Sequence, residues 1–241
     1  MDIAVNKTTL FYEKEGSGPP MILLHGNGED HHIFDMTVPE LSKQWTVYRI
    51  DSRGHGNSSP ADAFHYQEMA EDVICFIERL HIEKPILYGF SDGGILALLI
   101  ASQRQELLKG IIISGANLNP KGMKTGWYYL FKFLYFFNGD AKFKMMLTEP
   151  HITKQQLKKI KIPAFVTAGQ KDMIKEKHTC FLAGNIPCSR LKILPGENHS
   201  SYVNSIRLAE VIREGASFIQ QNFLNGIPCW QKSGHPDPEE K

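Results

Sequence analysis

Residues 85–99 read PILYGFSDGGILALL. The apolar run Pro85–Phe90 ends in Gly89-Phe90-Ser91-Asp92-Gly93, and a second apolar stretch of helical length, Asp92–Gln103, follows at once. The pattern is strand, sharp turn, helix. A G-x-S-x-G segment in that setting holds its serine in a strained backbone conformation and accepts only small neighbours. The hydroxyl is left exposed over a helix N-terminus, which favours negative charge. Ser91 is therefore a candidate nucleophile; the plainer alternative is a glycine-rich structural turn.

Working outward, strand and helix signals alternate. Thr9–Lys14 reads as an early antiparallel strand. Pro20–His25, Trp45–Ile50, Lys109–Ser114, Ile162–Ala168 and Arg190–Leu194 read as further strands. Phe34–Lys43 is weakly helical. Tyr66, Met69, Ala70, Val73, Ile74, Ile77 and Leu80 share one helical face, and a helix from about Asn204 to Asn222 closes the fold. Strands separated by helices predict an α/β fold, with a mostly parallel central sheet and helices on both faces. Ligands then bind at the carboxyl ends of the strands. The segment 117–161 is too long for an ordinary crossover and is read as a small inserted helical cap. Residues 1–241 form one domain in this reading, with a frayed polar tail over 228–241.

The composition narrows the class. The chain has 241 residues, 42% hydrophobic and 22% charged, with a net charge of +1. That is globular, and gives no overall pull towards nucleic acid. The densest apolar stretch, Trp127–Phe137, is eleven residues long, where a transmembrane helix needs about twenty. No signal peptide is visible at the start. Cys75, Cys180, Cys188 and Cys229 are scattered and read as thiols in a reducing compartment. A cytoplasmic protein is expected. Oligomeric state is not legible.

A serine nucleophile needs a base, and the base needs an orienting acid. With this turn the chain order is serine, acid, histidine. Asp172 lies just past the strand PAFVTA and His199 just past RLKIL, both at the sheet edge that carries Ser91. Among rival acids, Asp140 falls in the cap, Glu176 in a helix, and Glu197 too near His199. Among rival bases, His235 is in the tail and His178 on an expected surface helix. His25-Gly26-Asn27-Gly28 follows the strand PMILL, and its glycines let backbone amides turn inward. The N–H groups of Asn27 and Asp92 would then meet at one developing oxyanion.

These segments together resemble the α/β-hydrolase superfamily. The resemblance covers about Pro20 to Phe223 and rests on HGNG (25–28), DSRGHGNS (51–58), GFSDGG (89–94), GQKD (169–172) and GENHS (196–200). It implies an α/β-hydrolase fold, a triad Ser91–Asp172–His199, and donors Asn27 and Asp92. It also implies that Asp51, Arg53 and His55 are scaffold. Relatives with an aspartate nucleophile are disfavoured by Ser91.

No cofactor is expected. Asp30-His31-His32 suggests a metal cluster, but the His-x-His of metallo-hydrolases is missing because position 27 is Asn. Residues 121–161 hold nine lysines against Asp140 and Glu149, net +7, which leaves −6 for the rest of the chain. Either the aromatic run packs over the sheet with its lysines in solvent, or it lines an acyl pocket with a basic rim. The second reading suits an apolar or anionic substrate, or a membrane surface, and makes Trp127, Tyr128, Phe131 and Tyr135 candidate pocket residues. The expected activity is a serine hydrolase cleaving a small carboxylic ester with an apolar acyl part. A C–C bond hydrolase, thioesterase, lactonase or perhydrolase would use the same residues, and a non-catalytic ligand receptor is a further alternative.

Overall fold

The computed structural model describes residues 1–224; the tail expected at 228–241 lies outside the described residues. The chain opens with β1 (Asp2–Val5), β2 (Thr8–Glu15) and β3 (Pro20–Leu24), followed by a short helix α1 (Val38–Leu41) and β4 (Thr46–Ile50). Then come α2 (Tyr66–Arg79), β5 (Ile86–Phe90), α3 (Asp92–Arg104) and β6 (Gly110–Ser114). Three helices, α4 (Thr125–Asn138), α5 (Ala141–Thr148) and α6 (Lys154–Lys159), precede β7 (Ala164–Gly169), α7 (Glu176–Gly184), β8 (Ser189–Leu194) and α8 (Ile206–Leu224).

The eight strands form one sheet in the order β1-β2-β4-β3-β5-β6-β7-β8. β1, β2 and β4 pair antiparallel, and every pairing from β4 through to β8 is parallel. Strand β1 has no counterpart in the sequence reading: its four residues alternate in exposure, and so short a run carries little periodic signal. The weak helix expected over Phe34–Lys43 is a 3-10 turn at His31–Phe34 and the single turn α1, with Pro39 in its first turn.

Strands β5, β6 and β7 are buried at every position, as their unbroken apolar runs require in a sheet covered on both faces. Alternate residues feed two cores. Ile22 and Leu24 join Met69, Val73, Leu96 and Leu182 on the face of α2, α3 and α7. Met21 and Leu23 join Val38, Leu208 and Ile212 on the face of α1 and α8. Neighbours β4 and β5 of strand β3 leave in opposite directions, so the strand order reverses there, and a crevice opens at the carboxyl ends of β3 and β5. That crevice locates the site.

Among the described residues no helix is long and apolar enough to cross a membrane. Cys75 and Cys180 are free thiols.

Candidate active site

The turn after β5 is built as its glycines predict. Ser91 has φ 50° and ψ −110°, a region costly to a residue with a side chain. A Cβ on Gly89 would stand 2.1 Å from the carbonyl oxygen of Gly93, and one on Gly93 would stand 2.3 Å from that of Leu24. Neither position has room for another residue. The turn is pinned by Ser91 N–H donating to Ser114 O at 2.8 Å and Gly93 N–H donating to His25 O at 3.1 Å.

The loops after β7 and β8 bring the other two candidates to this serine. His199 Nε2 lies 3.1 Å from Ser91 Oγ, and His199 Nδ1 lies 2.7 Å from Asp172 Oδ1. Asp172 is buried, and its Oδ1 also accepts the N–H of Ile174 at 2.8 Å, which fixes the carboxylate. The imidazole leans on the buried Phe90 ring, with centroids 5.0 Å apart.

The loop after β3 faces the same point. Among the described residues, neither the N–H of Asn27 nor that of Asp92 donates to a protein acceptor. Their side chains do engage one another: Asn27 Nδ2 donates to Asp92 Oδ2 at 2.9 Å, and Tyr66 OH donates to Asp92 Oδ1 at 2.7 Å. Burial pushes the Asp92 carboxyl up from its ordinary range, while these two donors hold it down. Gly26 N–H donates to Glu29 Oε2 at 2.9 Å, and burial raises the Glu29 carboxyl as well. Beneath the loop, Ser52 N–H donates to His25 Nε2 at 3.0 Å, so His25 Nδ1 carries the proton shared with Gly26 O, 2.7 Å away. Burial holds His25 down at about 4, a neutral ring.

The rival residues have other partners. Asp140 caps α5 by accepting from Lys142 N–H, and Glu197 pairs with Arg207 and Ser201. His178 is not a plain surface residue: it is half-buried, and its Nε2 accepts the N–H of Leu118 at 2.8 Å, anchoring the start of the long segment between β6 and β7. Asp51 organises its turn, accepting from His31 N–H at 2.7 Å and Asn57 N–H at 2.8 Å, and Arg53 grips Asp72. Potential ligand atoms of Asp30, His31 and His32 lie within 4.8 Å of one another. His31 Nδ1 is already held by Asp51 at 2.8 Å, and Asp30 caps the 3-10 turn.

The four candidate pocket residues sit on α4. Tyr128, Phe131 and Tyr135 are half-buried, and Trp127 is exposed. Phe131 stacks on Phe143 of α5, with centroids 5.7 Å apart. Tyr128 helps line a cavity of about 710 Å³ with Met123, Leu147, His151 and Lys175; none of Ser91, Asp172 and His199 borders it. The sequence reading missed Gly115, Phe90, Tyr66 and Glu29. Gly115, which directly follows β6 much as Gly26 comes just after β3 and Gly169 ends β7, carried the one usable signal. Tyr66 looked like core.

A family model for the alpha/beta hydrolase fold matches residues 19–144. The chain is 28% identical over 236 residues to the human protein named serine hydrolase BPHL, covering 83% of this chain and 80% of that one. Among solved structures it is similar to a thermophilic esterase from Thermogutta terrifontis, at TM-score 0.75 and 20% identity, over 91% of this chain and 99% of the other. It is also similar to the enol-lactonase from Burkholderia xenovorans LB400, at TM-score 0.70 and 20% identity, over 93% of this chain and 100% of the other. At such identities the structural likeness speaks for the fold alone.

Proposed function

The chain belongs to the α/β-hydrolase family, and from that premise we propose that it is a serine hydrolase that cleaves a carboxylic ester through an acyl-enzyme on Ser91. The observation that carries the proposal is the continuous chain Ser91 Oγ, His199 Nε2 and Nδ1, Asp172 Oδ1, with its links of 3.1 and 2.7 Å at the mouth of the switch-point crevice. The human relative's name, serine hydrolase, supports the same nucleophile type.

In the proposed reaction Ser91 Oγ attacks the ester carbonyl while His199 Nε2 takes its proton. Asp172 accepts the hydrogen bond of Nδ1–H and so keeps Nε2 free to act as base. Negative charge that develops on the carbonyl oxygen is met by the N–H groups of Asn27 and Asp92, the latter at the first turn of α3, where the helix dipole adds to the attraction. His199 returns the proton to the leaving alcohol. A water molecule activated by the same imidazole then releases the acid. An apolar acyl part is proposed from the aromatic residues of α4.

A fluorophosphonate probe tests this directly. Labelling should be confined to the peptide containing Ser91 and be lost in Ser91→Ala. That variant should also lose turnover of p-nitrophenyl esters by at least about 10³-fold. Retained turnover above a few per cent, or labelling at another residue, would remove Ser91 as the nucleophile. A parallel panel of thioesters and lactones tests the bond: a preference for either over esters would overturn the ester assignment while leaving the nucleophile in place.

A further inference from the structure

Helix α4 is apolar on two sides. At about 100° per residue, Tyr128, Phe131, Leu134 and Tyr135 share one side and are half-buried. Tyr129, Leu130, Phe133, Phe136 and Phe137 share the opposite side, and no residue of α4 is buried. Phe136 is 80% exposed, Phe137 69%, Tyr129 61% and Phe133 59%. The outer rings touch one another, with Phe133 and Phe137 centroids 4.6 Å apart and Phe136 and Phe137 5.3 Å apart. Single exposed apolar residues are ordinary on a protein surface; a contiguous aromatic face marks something that covers it.

Charge indicates what that is. Lys124, Lys132 and Lys144 are exposed on α4, α5 and the turn before them. The two acids of the insertion do not neutralise these lysines: Asp140 caps α5 through a backbone N–H, and Glu149 pairs with His65 Nδ1 at 2.6 Å. Around α4 and α5, residues 121–149 hold five lysines against Asp140 and Glu149, so the aromatic end of the insertion carries a local net charge of +3. Two such ends would repel one another, which disfavours a second copy. We propose that the outer face of α4 is an interfacial anchor for an anionic lipid bilayer, with its aromatic rings at the headgroup–acyl boundary and the flanking lysines on lipid phosphates and carboxylates. The insertion leaves the sheet at the same edge as Ser91, so docking turns that edge towards the membrane.

The test is sedimentation of the full chain with phosphatidylcholine vesicles containing about 30% phosphatidylserine, an anionic fraction of the kind that attracts basic segments. The wild type should partition onto these vesicles and at least tenfold less onto pure phosphatidylcholine, and 0.5 M salt should release it. Phe136→Ser/Phe137→Ser and Lys132→Glu/Lys144→Glu should each lower partition onto anionic vesicles about tenfold or more, with far-UV circular dichroism and thermal midpoint unchanged. Failure of the wild type to sediment with anionic vesicles overturns the proposal, as does binding indifferent to both variants. Light scattering supplies the last outcome: a wild-type dimer dissociated by Phe136→Ser/Phe137→Ser would make the face a self-association surface instead.

Discussion

The imidazole of His199 occupies the space that a side chain on Gly115 would need: a Cβ there would stand 2.8 Å from Cε1 and 3.0 Å from Nδ1. Gly115 also has φ +66°, so a substituted residue is strained as well as crowded. Gly115→Ala should push the imidazole away from Ser91. Because a displacement of about 1 Å can cost roughly 10²-fold, kcat should fall by that order, with KM much less affected. Ester kinetics and a thermal melt check it. A variant with lower stability but wild-type kcat would show that the ring is not held by this contact.

Asp172→Asn should lower kcat about 10⁴-fold, because an amide in place of the carboxylate no longer selects the Nδ1–H tautomer. Glu197→Gln is the matched control: Glu197 is tied to Arg207 and Ser201, so its loss should change kcat less than threefold. A reversal of the two effects would reassign the acid.

Asp92 links Asn27 to Tyr66. Tyr66→Phe removes a donor from a buried carboxylate, at a cost of about 1–3 kcal/mol in stability. The remaining donor, Asn27 Nδ2, belongs to the loop whose backbone is assigned to the oxyanion. The substitution should therefore also reduce kcat, by about tenfold, while KM holds. Loss of stability with kcat intact would confine the cluster to folding.

His25 sets an acid limit on stability. Its ring is held from the ordinary 6.5 down to about 4 by burial. The unfolded chain therefore takes up a proton near pH 6.5 and the folded chain only near pH 4. Between those values the unfolded state binds more protons, so stability falls as pH drops through this window and is flat above it. The contribution at pH 4 is about 3 kcal/mol. Urea unfolding of the wild type and His25→Gln from pH 4 to 7.5 should show a shallower acid loss in the variant, whose amide oxygen can still accept from Ser52. Equal slopes would remove His25 as the cause.

The inner face of α4 is read as an acyl wall. If so, two further methylenes in the acyl chain should raise kcat/KM roughly tenfold until the space fills, at about 0.8 kcal/mol each. Tyr128→Ala and Tyr135→Ala should flatten that trend. Phe131→Ala should in addition lower the thermal midpoint, because Phe131 stacks on Phe143. A chain-length profile identical in all three variants would leave these rings with packing alone.

The elbow, the strand order of its partners and the two-faced burial of the sheet were legible in the residues. Each rests on local sterics or on order along the chain. Only glycine fits where a Cβ would lie 2.1 Å from a carbonyl oxygen, as at Gly89, and an apolar run such as Ile111-Ile112-Ile113 has to be covered on both faces. Tertiary structure alone decided which distant groups meet. Tyr66 shows the same helical period as its core neighbours, yet its hydroxyl reaches Asp92, 26 positions away, because α2 and α3 pack side by side. His178 was indistinguishable from a surface histidine until the fold laid Leu118 against it. The aromatic run of α4 has the composition of a core helix. Hydrophobicity along a chain records what should leave water, and only packing determines whether protein is there to receive it, which for Phe136 and Phe137 it is not.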